Sequence, residues 1–263
     1  MTAPVKTLQQ MPMAPLFSII TVTYNAASTI RPTLESVGAQ TCTLYEHIIV
    51  DGQSADSTLD IIASIPNPRR RLTSRPDDGI YDAMNRAIAD AKGDYLIFLN
   101  AGDRFHSPDT LRRYADAIMA NDYPGIVYGQ TELVDAEGRA LGPRHLQAPE
   151  QLTRQSFADG MVVCHQAMAV LRRIAPFYNL RYRYSADYEW AIICLQHSRC
   201  NICLPCTVID YLCEGATTAH FRQSLRERFR IMATYYGLIP TLVRHIRFAF
   251  RYLRRRRTSA NIQ

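Results

Sequence analysis

The sequence predicts an α/β protein whose sheet is mainly parallel and flanked by helices, and three observations lead there. Short apolar or β-branched runs recur at 17–23, 46–50 and 94–99, and each stops at a polar turn: Tyr24-Asn25, then Asp51-Gly52-Gln53-Ser54, then Asn100-Ala101-Gly102-Asp103. Between them lie stretches with helical periodicity, and alternation of strand and helix at this length implies right-handed parallel crossovers. The run Tyr95 to Leu99 is apolar without alternation, which suits a strand buried on both faces. In open α/β sheets ligands bind beyond the carboxyl edge of the strands, so Asn100 and Asp103 are expected to face a crevice.

The elements follow in order. Residues 1–15 carry three prolines and no periodicity and read as a loose lead-in. Phe17 to Thr23 is the first strand, and Ile30, Leu34 and Val37 mark the stripe of the helix after it. Glu46 to Val50 is the second strand, followed by a helix carrying Leu59, Ile62 and Ile65. A short strand near Leu72-Thr73 precedes a helix from about Ile80 to Lys92, with Ile80, Met84, Ile88 and Ala91 inward and Gly93 as its stop. Further on, Ile126 to Val134 and Arg139 to Leu141 flank a hairpin turn, which makes the sheet mixed. A helix is expected from about Glu150, another near Asp187, two short strands around Ile202 and Val208, and helical sequence from about Arg222 onward. These give a first half at 16–106, a second half of the same domain at 107–220, and C-terminal helices at 221–263.

Composition narrows the function. At 263 residues and 47% hydrophobic content the chain can bury a substantial core. No apolar run approaches a membrane span, no export signal is evident, and a cytoplasmic location is the expectation. The net charge of +6 is local: residues 244–257 hold seven arginines and no acid, leaving 6 − 7 = −1 elsewhere. That distribution argues against nucleic acid as a partner of the body. Three cysteines at two-residue gaps, Cys200, Cys203 and Cys206, invite a metal reading together with His197 and Cys213. On a strand, however, Cys203 points away from the other two, so buried free thiols are the better reading.

Five segments together resemble a known family: Ser18 to Asn25, Val50 to Asp56, Asp77 to Asn85, Phe98 to Asp103 and Ala186 to Trp190. In order and spacing they are similar to the family 2 glycosyltransferases of the GT-A (Rossmann-like) fold, in the branch that builds bacterial surface polysaccharides. The resemblance implies a nucleotide diphosphate sugar as donor, UDP-linked by preference, a lipid-linked or oligosaccharide acceptor, and Mg²⁺ or Mn²⁺ as cofactor.

Carried onto these residues, the resemblance places Asp51 on the base, with Tyr24 stacking on it and Thr23 and Asn25 beside it. Asp77, Asn85 and Asn100 would line the donor sugar and diphosphate. Asp103 would hold the metal, although the family's usual two acids are here one, with Asn100 at the other position. Asp187 would be the base of an inverting transfer, with Glu189 as its substitute, and His165 and Gln166 would lie toward the acceptor. Plain structural roles compete for each residue. Asn25, Asp56 and Asp187 all suit helix caps, and a lone histidine is often simply packed. A nucleotidyltransferase is the alternative enzyme, but it lacks its Gly-rich basic loop here. A scaffold that lost catalysis is the alternative outside enzymes. Finally, Leu242, Ile246, Ala249, Phe250 and Leu253 fall on one helical face with arginines opposite. Residues 242–257 would therefore dock on the inner face of the cytoplasmic membrane, unless that face packs on the core or in a homo-oligomer.

Overall fold

β1 (Phe17–Thr23) and β2 (Tyr45–Asp51) are buried along their whole length, which is why their sequences are continuous rather than alternating. They pair in parallel, Phe17 opposite Tyr45 through Thr23 opposite Asp51. β4 (Tyr95–Phe98) flanks β1 on its other side, also in parallel. β3 (Arg70–Ser74) pairs with β2 at the sheet's border, and its largely exposed Arg, Thr and Ser side chains suit an edge strand. The remaining strands are β5 (Arg104–Phe105), β6 (Ile126–Val134), β7 (Ala140–Pro143), β8 (Met168–Leu171) and β9 (Asn201–Leu212). The order is β3-β2-β1-β4-β8-β6-β9-β5, with β7 on β6. This is a computed structural model that describes residues 14–213 and 221–246, so most of the lead-in and the tail from 247 onward lie outside the described residues.

The helices are α1 (Ile30–Gly38), α2 (Thr58–Ser64), α3 (Ile80–Asp90), α4 (Thr110–Ala120), α5 (Ala186–His197) and α6 (Phe221–Tyr236). The stripe read for α1 is the buried one, Ile30, Leu34 and Val37. On α3 the expected Met84, Ile88 and Ala91 are buried, but Tyr81 takes the inward place expected of Ile80, which is exposed. The reason is a stack of aromatic rings under α3. Tyr178 lies 5.3 Å from Tyr81 on one side and 5.3 Å from Trp190 of α5 on the other, so the ring at 81 takes the inward position.

Four other expectations change. α4 and β8 occupy stretches for which no element was read. The helix expected from Glu150 is a 3-10 turn at Arg154–Asp159, opened by a capping box on Thr153. The two short strands at 202 and 208 are one strand, β9, whose register against β6 shifts on either side of Gln130. Finally, Cys200 and Cys213 are exposed rather than buried. The halves expected to divide at residue 106 share one sheet, since β5 pairs with β9.

Candidate functional site

The carboxyl ends of β1 and β2 lie side by side, and the loops leaving them are stitched together. Asn25 donates its backbone N–H to Ser54 Oγ at 2.8 Å and accepts from the Ala55 N–H at 2.9 Å through Oδ1. The Ala26 N–H donates to Thr58 Oγ1 and the Ala27 N–H to Asp56 Oδ2. Asp56 also accepts from the Thr58 N–H, so it fastens the loop after β1 to the residue that opens α2, whose N-cap is Ser57. The left-handed backbone of Asn25 and Gln53, with φ of +48° and +64°, turns both loops toward each other.

Asp51 is fully buried, with its carboxylate at the strand end. Oδ2 accepts from the Ser54 N–H and from Ser74 Oγ, and Oδ1 accepts from Ser54 Oγ. Tyr24, by contrast, is 66% exposed. Gly52 lies between them and Asp77: a Cβ there would sit 2.8 Å from Asp77 Oδ2 and 3.2 Å from the Tyr24 ring. Tyr24 and Asp77 thus close on Gly52, directly after Asp51, and a side chain there would have to displace the Asp77 carboxylate. Asp77 is itself held by the Gly79 N–H at 2.9 Å. Asn85 does not join them. Its amide donates to the Tyr178 carbonyl and accepts from the Tyr178 N–H, a clamp that uses both ends of the group. The donor-lining role expected of Asn85 is corrected accordingly.

Beneath this edge Thr21 Oγ1 donates to the Leu99 carbonyl at 2.8 Å and meets His47 Nε2 at 2.9 Å. Thr21 has one proton and gives it to Leu99, so His47 must be the Nε2–H donor. Burial, with Arg70 nearby, drives the His47 pKa down to about 3.

The second group of residues gathers where β4 ends. Asp187 stands in the first turn of α5 but caps nothing. Its Oδ1 accepts from the Tyr81 hydroxyl at 3.0 Å, and His165 Nδ1 lies 3.7 Å from its Oδ2. Its side chain keeps 17% exposure. Burial, then the neighbouring Asp187, raises the Tyr81 pKa well above its usual value, so the phenol stays a donor. Burial lowers the His165 pKa against the opposing pull of Asp187. Glu189 turns elsewhere, accepting from the Tyr235 hydroxyl of α6, and is a brace between helices rather than a substitute base.

Asp103 is also not where a metal ligand was expected. It is 5% exposed; Oδ1 accepts from the Leu212 N–H at 3.1 Å and Oδ2 from Gln166 Nε2 at 2.9 Å. Burial pushes its pKa up to about 7, the two hydrogen bonds opposing. Gly102, with φ +103°, turns the chain so that this carboxylate points inward. A divalent cation on Asp103 does not fit these residues, because both oxygens are engaged from inside the protein. Among the described residues no three His, Cys, Asp or Glu side chains gather as a metal site. In the same turn, Asn100 Oδ1 is buried without a hydrogen-bond partner, as are Thr23 Oγ1 and His165 Nε2.

The sequence reading did not single out Gly52, the serines on Asp51, or the pairing of Gln166 with Asp103. Only Gly52 left a local signal, a glycine directly after a strand-ending acid.

Residues 18–175 match the family described as Glycosyl transferase family 2. The PGL/p-HBAD biosynthesis glycosyltransferase of Mycobacterium bovis is 40% identical over 192 residues, 70% of this chain and 71% of that one. The chondroitin synthase of Pasteurella multocida is 28% identical over 179 residues, 66% of this chain but only 18% of that protein. In fold, the chain is similar to S. aureus TarS 1-349 in complex with UDP-GlcNAc: TM-score 0.71 at 18% identity, over 88% of this chain and 73% of that one. It also resembles the mannosyltransferase PcManGT from Pyrobaculum calidifontis, in complex with GDP-Man and Mn²⁺, with TM-score 0.59 at 18% identity over 89% and 75%. The mixed, mainly parallel sheet and its covering helices are the GT-A arrangement, and the chain belongs to glycosyltransferase family 2 as a sugar-transferring enzyme.

Proposed function

We propose that the protein is an inverting glycosyltransferase that moves a hexosyl or N-acetylhexosaminyl group from a UDP-sugar to a hydroxyl of a lipid-linked or growing bacterial surface glycan. The observation that carries the reading is the placement of Asp187, at the head of α5, free of capping, held through Oδ1 by Tyr81 and partly open to solvent. Oδ2 is then the basic oxygen. It takes the proton of the acceptor hydroxyl as that oxygen bonds to the anomeric carbon and the diphosphate departs with the electron pair of the broken bond. Burial favours the neutral form of His165 beside Asp187. On the other side Tyr24 stacks on the base, buried Asp51 braces Ser54 and Ser74 beneath the nucleoside, and Asp77 faces the donor beyond Gly52. The complex of TarS with UDP-GlcNAc supports UDP as the carrier. Residues 16–106 would then be the donor half and 107–220 the acceptor half.

Asp187→Asn should bind UDP as the parent does, measured by titration calorimetry. It should turn over a UDP-sugar roughly 10²- to 10⁴-fold more slowly. Turnover at the parental rate removes Asp187 from the mechanism.

The same reading includes docking on anionic lipid at the inner membrane face, where a lipid-linked acceptor is found. No helix among the described residues is long and apolar enough to cross a membrane. After Gly237, residues 238–246 are helical, and Leu238, Ile239, Leu242, Val243 and Ile246 are all exposed on one side. Arg244 turns the other way, its Nε 3.4 Å from Asp159 Oδ1. Over its described part the apolar face thus does not pack on the protein's own core, and six more arginines follow at 247–257. Each arginine near anionic lipid contributes on the order of 1 kcal/mol. The intact chain should co-sediment with phosphatidylglycerol vesicles at low salt, and a chain ending at Gly237 should not. Equal binding by both sinks the docking idea.

A further inference from the structure

The carboxylate of Asp103 has a clear geometric job, and it is not the one the sequence suggested. Its two oxygens join two separate pieces of chain: Leu212, the last residue of β9, through the backbone N–H, and Gln166 through Nε2. Asp103 is itself anchored, its carbonyl accepting from Thr33 Oγ1 of α1 at 2.7 Å and its N–H donating to the Asn100 carbonyl. Gln166 in turn has no freedom to swing, because its Oε1 accepts from the Cys164 thiol while Nε2 holds Asp103. The residue between Cys164 and Gln166 is His165. Its ring lies 5.8 Å from that of Phe98 and its Nδ1 3.7 Å from Asp187. The turn is closed by the Ala167 N–H on the Cys164 carbonyl, and Tyr114 donates to the Ala167 carbonyl from below.

We propose that Asp103 is a positioning residue rather than a cation ligand: it latches Gln166 to the end of β9 and so holds His165 against Asp187. The effect on turnover rests on the reading of Asp187 as the base, whereas the latch itself is a matter of hydrogen-bond polarity. Both partners of Asp103 are N–H donors, so the residue must offer two acceptors. An amide at 103 offers one acceptor and sets an NH₂ against a donor. A carboxylate at 166 sets like charges together in a buried place. Doing both at once restores the pattern. In the double variant Asp103→Asn/Gln166→Glu, the amide at 103 accepts from Leu212 and donates to the carboxylate at 166, which still accepts from Cys164.

The test measures turnover of a UDP-sugar by the two single variants and the double. Each single variant should lose roughly tenfold to a hundredfold in kcat, the scale of a catalytic group displaced by an ångström, with the KM for donor nearly unchanged. The double variant should recover most of that loss. A double no faster than the singles overturns the latch, because restored polarity would then not matter. A second readout does not depend on the double variant folding: Mn²⁺ binding to the UDP-loaded protein, followed by the spin resonance of free Mn²⁺. Asp103→Asn should bind Mn²⁺ as the parent does, and a weakening of about tenfold or more overturns the proposal in favour of a cation ligand. Asp187→Asn run in the same assay keeps the two ideas apart, since parental turnover there removes the base while leaving the rescue pattern to judge the latch.

Discussion

The loops beyond β1 and β2 and the pocket beyond β4 are both built at the carboxyl edge of one sheet, yet they treat polar atoms in opposite ways. At the first, Asn25, Ser54, Asp56, Thr58 and Asp51 bond one another across two loops, although much of that surface is exposed. At the second, Asn100 Oδ1 and His165 Nε2 are buried with no partner, as are Thr23 Oγ1 where the two regions meet and the Tyr178 hydroxyl under α3; beneath the first, His47 Nδ1 is likewise unpartnered. An unpaired buried polar atom costs about 1–3 kcal/mol, so the pocket beyond β4 carries a cost that an incoming polar group would relieve. On the proposed function, the contrast is that of a preformed rest for the nucleotide beside a chemical pocket that is completed when sugar and diphosphate arrive.

The largest test of that contrast concerns what supports the nucleotide side. His47, below Asp51, keeps a pKa of about 3 when folded, against about 6.5 unfolded. Above pH 6.5 its contribution is fully present. As pH falls from 6.5 toward 3 the unfolded chain takes up a proton that the native protein refuses, so stability drops by up to about 1.4 kcal/mol per pH unit. His47→Gln can still donate to Thr21 and cannot titrate. Urea melts at pH 4.5, 5.5 and 6.5 should show a flatter dependence in the variant, and a parental slope would place the acid sensitivity elsewhere.

A smaller pair of effects sharpens the comparison itself. Thr21→Val removes a hydroxyl with two partners and strands both His47 Nε2–H and the Leu99 carbonyl, at a cost of about 1–3 kcal/mol. Thr23→Val is the same change two residues along the same strand, but it removes a hydroxyl with no partner. Its stability should lie within about 0.5 kcal/mol of the parent, while calorimetry should show weaker binding of UDP. Equal destabilisation by the two variants would break the distinction between the regions.

How much of this was legible depends on whether the information is local. β1, α1 and β2 could be read because runs of Ile and Val and a three-to-four-residue stripe are written in consecutive positions. On α3 only the first inward position was misread, Ile80 for Tyr81, because the ring stack that draws Tyr81 inward is completed by Tyr178 and Trp190, about a hundred residues away. β9 looked like two strands because its shifts against β6 interrupt the alternation. In the candidate site, Asp51, Asp77 and Asp187 stand near element ends that could be read locally, while the roles proposed for them rest on the resemblance. The direction of Asp103 was not, since it is fixed by the left-handed turn at Gly102 and by Gln166, sixty-three positions on.

α6 sets where this chain can be cut. Glu227 accepts from the N–H groups of Arg183 and Tyr184, Ser185 Oγ donates to the Ser224 carbonyl, and Tyr235 donates to Glu189. The strand of chain that delivers Asp187 therefore rests on α6 at three places, on both sides of the aspartate. A shortened protein that ends before residue 221 loses the footing of Asp187 and, on the proposed mechanism, its activity, for reasons unrelated to lipid. One that ends at Gly237 keeps every one of these bonds, so 237 marks the inner limit for trimming the tail.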